Sequence, residues 1–206
     1  MKVDDVARKV VQLGPGALMA KIDIKSAYRV VPVHPQDRCL LGMQWDGKVF
    51  VDTALPFGLR SAPKIFNALA DALEWIIREQ GVEHVWHYLD DFITCGLAGS
   101  DECLLNLSVL TDVCKHLGVP LAEKKMEGPT MSIVFLGILI DSVRGELRLP
   151  PEKLDRLHGH INEWLQKKRC TKRELLSIAG QLQHAAMVVW PGRTFLRRLF
   201  DLSATV

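Results

Sequence analysis

The residues best suited to chemistry are three aspartates, each of which interrupts an apolar run. Asp90 and Asp91 are adjacent and separate residues 85–89 from 92–95, two short apolar runs typical of hairpin strands. Aspartate is uncommon in strands and costly to bury unless it is paired or bound to a metal. Neighbouring strand residues point to opposite faces, so adjacent carboxylates converge only at a turn. An ordinary Asp-rich turn is one interpretation, and a hairpin tip that binds a metal ion is the other.

Asp23 supplies a third carboxylate in a similar setting, between Ile22 and Ile24. Three carboxylates a few ångströms apart would repel one another by about 4 kcal/mol per pair at an effective dielectric constant of about 20. A divalent cation removes that repulsion, and Mg²⁺ prefers a few carboxylates together with waters and substrate phosphates. Two such ions can activate an attacking hydroxyl and stabilise a leaving pyrophosphate oxygen. If the three aspartates meet in space, the chemistry is phosphoryl transfer.

The elements that must position these aspartates can be predicted from periodicity and turn residues. We expect a strand over 18–24 and a hairpin over 44–51 that turns at Asp46-Gly47. A strand pair is expected around Asp90-Asp91, then a helix over about 101–117, a buried strand over 133–140 and a shorter strand over 146–149. A helix between Ser61 and Gly81 should bury one apolar stripe, formed by Ile65, Phe66, Leu69, Leu73, Ile76 and Ile77. This order predicts an α+β fold with an antiparallel, ferredoxin-like sheet and packed helices.

After Pro150-Pro151 the pattern changes to helices alone, and Thr171 with Glu174 forms a capping box at the start of one of them. We therefore expect two domains, residues 1–150 and 151–206. Residues 144–206 carry 12 Lys/Arg and 6 Asp/Glu, whereas residues 1–143 carry 14 and 18. The basic part could contact phosphates, although ordinary solvated helix faces would give the same balance.

Four segments, in this order, resemble the reverse transcriptase family over about residues 18–150. They are Asp23-Ile-Lys-Ser-Ala-Tyr28, Leu55-Pro-Phe-Gly-Leu-Arg-Ser-Ala-Pro63, Tyr88-Leu-Asp-Asp91 and Phe135-Leu-Gly137. The resemblance implies a polymerase palm over 1–150, with a residual fingers hairpin at about 30–52, and a small thumb-like or connection-like helical unit over 151–206. It also implies an RNA-directed DNA polymerase that uses two Mg²⁺ ions, with Mn²⁺ as a substitute, to join a dNTP to a primer 3′-hydroxyl.

The resemblance assigns roles to individual positions near the metal and the nucleotide. Asp23, Asp90 and Asp91 match the catalytic, metal-binding carboxylates, and the carbonyl of Ile24 matches a backbone metal ligand. Tyr28 matches the aromatic residue that excludes a ribose 2′-hydroxyl, although a core aromatic at a strand end is the alternative. Phe57 and Gly58 match positions beside the incoming nucleotide and the template base, so the residues expected to bind the nucleotide are Ile24, Tyr28, Phe57 and Gly58.

Further positions are expected to contact the template–primer duplex. Tyr88 either touches the primer terminus or packs in the hairpin. The primer strand is expected at Phe135, Leu136 and Gly137, although a buried strand that turns at a glycine would look the same. Gly180 and Gln183 fall on the thumb-like helix that follows the duplex, while His184 is interpreted as a surface histidine.

Three later segments, at 149–154, 171–176 and 191–198, most resemble retrotransposon enzymes of the DIRS group, which integrate with a tyrosine recombinase, or LTR-type elements. Only 22 residues precede Asp23, so we expect most of the family's fingers region, and an RNase H segment, to be missing from this chain. We therefore expect reduced activity, or none, from this chain alone. Expected partners are an RNA or DNA template–primer duplex, a dNTP, and further fingers, RNase H or recombinase domains of a longer polyprotein.

The composition excludes several other classes. Apolar residues make up 48% of the sequence and charged residues 24%, as in globular proteins. No apolar run is long enough to span a membrane, and five scattered cysteines argue against a disulfide scaffold or a zinc module. We expect an intracellular protein, in cytoplasm or nucleus. Two alternatives stay open: a non-catalytic, retroelement-derived module that binds nucleic acid or protein, and another palm-type polymerase, which Tyr28 and Leu55-Pro-Phe-Gly58 fit less well.

Overall fold

A computed structural model describes residues 3–189 and 191–205. The helices are α1 (Val3–Leu13), α2 (Ala62–Glu79), α3 (Glu102–His116), α4 (Pro151–Leu165), α5 (Lys172–Ala185) and α6 (Gly192–Thr205). The strands are β1 (Leu18–Asp23), β2 (Gly42–Trp45), β3 (Lys48–Val51), β4 (Val85–Tyr88), β5 (Asp91–Gly96), β6 (Glu127–Thr130), β7 (Ser132–Phe135), β8 (Ile138–Asp141) and β9 (Glu146–Arg148). Short 3₁₀ helices occupy Ala27–Val30, Pro35–Leu41 and Glu123–Lys125.

The chain divides into two compact units. The first comprises the residues up to Phe135 together with Asp141–Gly145, and the second comprises Leu136–Ile140 together with the residues from Glu146 onward. Compactness does not assign function to either unit, so the interpretation of residues 1–150 as a palm and 151–206 as a thumb-like segment stays a prediction.

The first unit is built on a four-stranded sheet in the order β4-β5-β1-β6. Strand β1 lies in its interior and pairs antiparallel with both β5 and β6, while β4 pairs antiparallel with β5. Helices α2 and α3 pack on this sheet, and Phe66, Phe92 and Leu110 belong to the core between them. These features confirm the predicted α+β fold with an antiparallel sheet.

Two elements of this unit were not predicted. Helix α1 buries Val3, Val6 and Val10, which recur at helical spacing but form a stripe of only three residues. Strand β6 has the sequence Glu-Gly-Pro-Thr and carries no apolar periodicity. It becomes a strand because its backbone adds to the edge of β1, an interaction that propensity does not reveal.

Helix α2 forms where it was predicted, but the prediction that all its apolar residues form one buried stripe was wrong. Phe66, Leu73 and Ile77 are buried, whereas Ile65 and Leu69 are 42% and 38% exposed. Helical positions one residue apart are rotated by about 100°, so only one line of side chains reaches the sheet. Ile65 and Leu69 instead border an open apolar cavity of about 420 Å³.

The expectation of one continuous buried strand over 133–140 was also wrong. Strands β7 and β8 are separated by Leu136 and Gly137, which both have positive φ, 48° and 76°. Two consecutive residues with positive φ are typical of a tight hairpin turn, and glycine adopts that conformation without steric cost. The predicted β2–β3 hairpin is confirmed, with Asp46 and Gly47 in the same conformation.

The second unit contains β9, most of β8, and helices α4, α5 and α6. Ile138, Leu157, Leu175 and Ile178 are among its buried residues. The capping box of α5 is confirmed, because the Thr171 hydroxyl accepts from the Glu174 amide and the Glu174 carboxylate accepts from the Thr171 amide. Within residues 3–189 and 191–205, none of the helices has the length and apolarity needed to cross a membrane.

Candidate active site

The sheet register brings the three predicted aspartates to one end of the first unit. Asp23 is the last residue of β1 and Asp91 is the first residue of β5, and their Cα atoms are direct cross-strand partners. Residues directly opposite each other in antiparallel strands project to the same face of the sheet. The amide of Ile24 donates to the carbonyl of Asp90 at 3.0 Å, which ties the turn to the end of β1.

The hairpin turn lies one residue earlier than predicted. Leu89 and Asp90 form the turn between β4 and β5, and Leu89 has a φ of 52°. Asp91 is already in β5, opposite Tyr88 as well as Asp23. Because Asp90 is in the turn and Asp91 in the strand, the two carboxylates are not held on opposite faces as they would be within one strand.

The electrostatics of Asp91 show that negative charge accumulates here. Burial, followed by the nearby charges of Asp90 and Asp23, raises the pKa of Asp91 from its ordinary 3.8 to about 6, against the opposing charges of Lys125 and Lys21. Asp23 is itself only 7% exposed. The site therefore favours binding of positive charge.

Lys125 provides part of that charge and was not predicted from the sequence. Its Nζ lies 2.8 Å from Oδ2 of Asp23, and this bond raises the pKa of Lys125. Leu121 forms an isolated bridge with Ile24, and the 3₁₀ helix that contains Lys125 follows at once. The only signal in the sequence is the pair Lys124-Lys125 in a polar segment, which gives no indication of its distant partner.

Asp23 and Asp91 open onto a cavity of about 530 Å³ that acidic and basic side chains line together. Its lining residues are Lys21, Ile22, Asp23, Asp91, Lys124, Lys125, Met126 and Glu127. Lys21 is already bound, to Glu127 at 2.8 Å and to the carbonyl of Val134 at 2.7 Å. Lys125 is likewise bound to Asp23, so a phosphate-bearing ligand would meet the exposed Lys124 more readily than Lys21 or Lys125.

The donor atoms suit a hard divalent cation such as Mg²⁺, because all of them are oxygens. The carbonyl of Ile24 is the predicted backbone ligand. The isolated bridge between Ile24 and Leu121 is made by the Asp23 carbonyl and the Lys25 amide, so its two hydrogen bonds do not occupy the Ile24 carbonyl. In the described part of the chain, no group of three Asp, Glu, His or Cys side chains forms a ready-made metal site. The carboxylates suit a metal ion by their chemistry, and the register of β1 and β5 places two of them, Asp23 and Asp91, opposite each other. Metal binding would require the Asp23 carboxylate to release Lys125 and bind the ion instead.

An aromatic pair follows this end of β1. The Tyr28 ring lies 5.0 Å from that of Phe57 and 5.7 Å from that of Phe66, which is buried in the core. Phe57 is 70% exposed, and Gly58 has a φ of 88° in the same turn. The fold thus brings together Tyr28 and Phe57, two of the residues predicted to face the nucleotide.

Comparison with known proteins shows the family to which the chain belongs. The sequence model of the family described as "Reverse transcriptase (RNA-dependent DNA polymerase)" matches residues 3–140. The chain belongs to the reverse transcriptase family. It is 31% identical over 138 residues to an enzymatic polyprotein of Cestrum yellow leaf curling virus, covering 66% of this chain and 20% of that protein. It is 27% identical over 171 residues to a Pro-Pol polyprotein of feline foamy virus, covering 82% and 14%.

Solved structures show the same fold. A foamy viral protease-reverse transcriptase in complex with double-stranded DNA matches with a TM-score of 0.73 and 20% identity, over 97% of this chain and 33% of that one. The enzyme in complex with an RNA/DNA hybrid matches with a TM-score of 0.70 and 21% identity, over 92% and 24%. The chain thus spans a fifth or less of the first curated relatives and a third or less of these solved chains.

The residues predicted to hold a primer in this reverse transcriptase chain fall in both units. In the first unit, Tyr88 is 49% exposed beside the aspartates, and the ring of Phe135 is buried. A buried ring cannot present itself to a primer, so Phe135 supports the strand from within. In the second unit, Gly180 and Gln183 border a groove of about 630 Å³ that also includes Arg193 and Arg197.

Two histidines, His87 and His184, lie within hydrogen-bond distance of specific partners. His87 is buried, with Nδ1 at 2.6 Å from Oε2 of Glu74 and Nε2 at 3.3 Å from Oδ1 of Asp71. His184 was interpreted as a surface residue, but it is half-buried and its Nε2 lies 3.2 Å from the carbonyl of Leu136. That interpretation was therefore wrong.

Proposed function

We propose that this chain is the catalytic part of an RNA-directed DNA polymerase, which adds deoxynucleotides to a primer 3′-hydroxyl as directed by a template. The observation that carries the proposal is the cross-strand pairing of Asp23 with Asp91 beside the turn that contains Asp90, in a chain of the reverse transcriptase family. Family membership supports the reaction class, and the register supports the assignment of these three residues.

In this proposal Asp23, Asp90 and Asp91 hold two Mg²⁺ or Mn²⁺ ions together with the carbonyl of Ile24. When bound, the ions supply activation of the primer hydroxyl and stabilisation of the leaving pyrophosphate oxygen. The chain's own contribution is to hold the carboxylates at the end of a rigid sheet and to keep Lys125 beside them. The raised pKa of Asp91 supports this assignment, because burial and the charges of Asp90 and Asp23 disfavour the charged carboxylate, and a bound cation would offset both effects.

The incoming dNTP is assigned to the side of the site formed by Tyr28, Phe57 and Gly58. Tyr28 cannot move inward, because its ring rests on the buried ring of Phe66. A ring fixed in this way leaves no room for an extra oxygen at C2′, which would favour deoxynucleotides. Gly58 lacks a side chain, and nothing lies within 4 Å of the position of a Cβ, so backbone and ligand can approach closely.

The template–primer duplex, with an RNA or a DNA template, is assigned to Tyr88, the turn at Leu136 and Gly137, and the α5 residues Gly180 and Gln183. The exposure of Tyr88 and the basic groove at Gly180 support these contacts. The related foamy viral enzymes were solved with an RNA/DNA hybrid and with double-stranded DNA, which makes both duplexes reasonable partners.

We further propose that the chain derives from a retroelement whose polyprotein supplies additional domains, such as fingers, RNase H or a recombinase. The curated relatives are polyproteins of which this chain matches a small part. Assignment to the DIRS or LTR-type groups rests on residues 149–154, 171–176 and 191–198.

Primer extension tests the proposed function. Purified chain would be given an RNA template, a DNA primer, dNTPs and either Mg²⁺ or Mn²⁺. We expect extension by the wild type, none by the Asp90→Asn/Asp91→Asn variant, and wild-type extension by Asp155→Asn, which removes an exposed carboxylate of α4. If the wild type and the double variant were equally inert while both bound duplex, a non-catalytic binding module would replace the polymerase as our conclusion.

A further inference from the structure

The turn between β7 and β8 leaves two backbone carbonyls to be satisfied. A two-residue hairpin turn does not use the carbonyls of its own residues in the strand ladder, so these groups need other partners. Both are reached by side chains of the second unit. His184 Nε2, on α5, lies 3.2 Å from the oxygen of Leu136, and Lys153 Nζ, on α4, lies 3.4 Å from the oxygen of Gly137.

The conformation of this turn requires such support. Leu136 has a φ of 48°, a left-handed conformation in which a side chain crowds its own backbone. Conformations of this kind persist when surrounding contacts hold them, and they concentrate at functional positions.

Gly137 is needed for the lysine contact as well as for the turn. A Cβ added at Gly137 would lie 2.0 Å from Lys153 Nζ and 3.2 Å from His184 Nε2, so the lysine would have to move away. The absence of a side chain at this position therefore lets both groups approach the backbone.

Helix stability does not explain the placement of Lys153. It lies in the first turn of α4, where a positive charge is opposed by the helix dipole. Lys153 and His184 also line a cleft of about 340 Å³ with Arg156 and His160. Basic residues concentrated beside a strained turn indicate a part of the molecule that is shaped for a ligand.

We propose that Lys153 and His184 are positioning residues, which fix the backbone of the Leu136–Gly137 turn so that it can hold the primer strand. This proposal rests on the proposed function, in which the turn contacts the primer. The two side chains act on the turn from two different helices, so each should contribute separately.

Amide hydrogen exchange of the intact chain tests the positioning without requiring activity. Lys153→Met and His184→Phe each remove a donor and should raise exchange at the amides of 136–138 about fivefold, which corresponds to the loss of one hydrogen bond of about 1 kcal/mol. Lys153→Arg and His184→Gln retain a donor and should restore protection. Lys168→Met, an exposed lysine of the same unit, should change nothing at the turn.

Binding measurements connect the turn to the primer. Lys153→Met and His184→Phe should weaken template–primer binding about fivefold while leaving the KM for dNTP unchanged. In a double-mutant cycle, the effects of Gly137→Ala and Lys153→Met should be less than additive, because both remove the same ammonium group from the turn, whereas the backbone strain of alanine at a φ of 76° remains in either background.

Two results would overturn the proposal: unchanged exchange at 136–138 in both donor-removing variants, or equal weakening of primer binding by Lys153→Met and Lys168→Met. Equal weakening would mean that only overall charge matters. Failure of the wild type to bind any template–primer would refute the proposed function, and the exchange data would then still decide whether the two side chains position the turn.

Discussion

Replacing Asp91 by asparagine should stabilise the metal-free protein at neutral pH. The ordinary pKa of an aspartate, 3.8, and the value of about 6 for Asp91 differ by an amount equivalent to about 3 kcal/mol, because one pKa unit is about 1.4 kcal/mol. Asp91 is partly exposed and solvent screens its interactions, so we expect about 1–2 kcal/mol. Asparagine keeps the shape of the side chain and removes the charge that burial, Asp90 and Asp23 disfavour.

The pH dependence of this effect has a defined sign. The charged form of Asp91 is disfavoured in the folded protein, so its cost is absent below pH 3.8, where the group is protonated in both states, and grows up to about pH 6. Urea denaturation in EDTA at pH 4, 5, 6 and 7 measures the free energy of unfolding. The advantage of Asp91→Asn over wild type should be near zero at pH 4 and complete at pH 7.

A control variant and added metal make the measurement decisive. Asp155→Asn removes the same charge from an exposed position and should show no such pH-dependent advantage. Millimolar Mg²⁺ should stabilise the wild type more than Asp91→Asn, because a ligand that binds the folded state stabilises it more the more tightly it binds. An Asp91→Asn variant that is less stable than wild type at pH 7 in EDTA would refute our view of the site.

Two further predictions concern residues around the aspartates. Burial alone would raise the pKa of Glu74, but its hydrogen bonds to His87 and Arg78 outweigh burial and lower it. Glu74→Gln should therefore destabilise the fold by about 1–3 kcal/mol at pH 7. The loss should shrink as pH falls from 4.5, where Glu74 of the unfolded chain takes up a proton, through the lowered pKa of the folded state; the exposed Glu79→Gln serves as the control in urea denaturation. Tyr28→Ala should raise ribonucleotide incorporation relative to deoxynucleotide incorporation at least tenfold in single-nucleotide extension, roughly the effect of removing a clash of 1.4 kcal/mol, whereas Tyr28→Phe should retain discrimination; an unchanged ratio in Tyr28→Ala would remove Tyr28 from the nucleotide site.

Local sequence signals predicted most of the elements. The capping box of Thr171 and Glu174, the Asp46-Gly47 turn and the glycine after α2 each act over a few residues, so they can be read directly. Predictions failed where the outcome depended on distant partners. Helix α1 and strand β6 carry weak patterns, and β6 exists because β1 offers it an edge.

The sequence also predicted wrongly which apolar residues are buried. Ile65 and Leu69 have the spacing of a buried stripe, yet both are exposed, because the position of α2 on the sheet selects a narrower line of contacts. The apolar run at 133–140 was similarly misread as one strand. Hydrophobicity alone cannot show that Leu136 and Gly137 turn the chain inside it.

The sequence by itself determined which residues could do the chemistry. Asp23, Asp90 and Asp91 stand out because carboxylates in apolar strands are costly without a compensating charge. The tertiary structure alone decided that Asp23 lies opposite Asp91, since the register of β1 and β5 is set by core packing along the whole of both strands. It also decided that Lys125 reaches Asp23 across 102 positions of sequence, a proximity created by chain topology and not by any local preference.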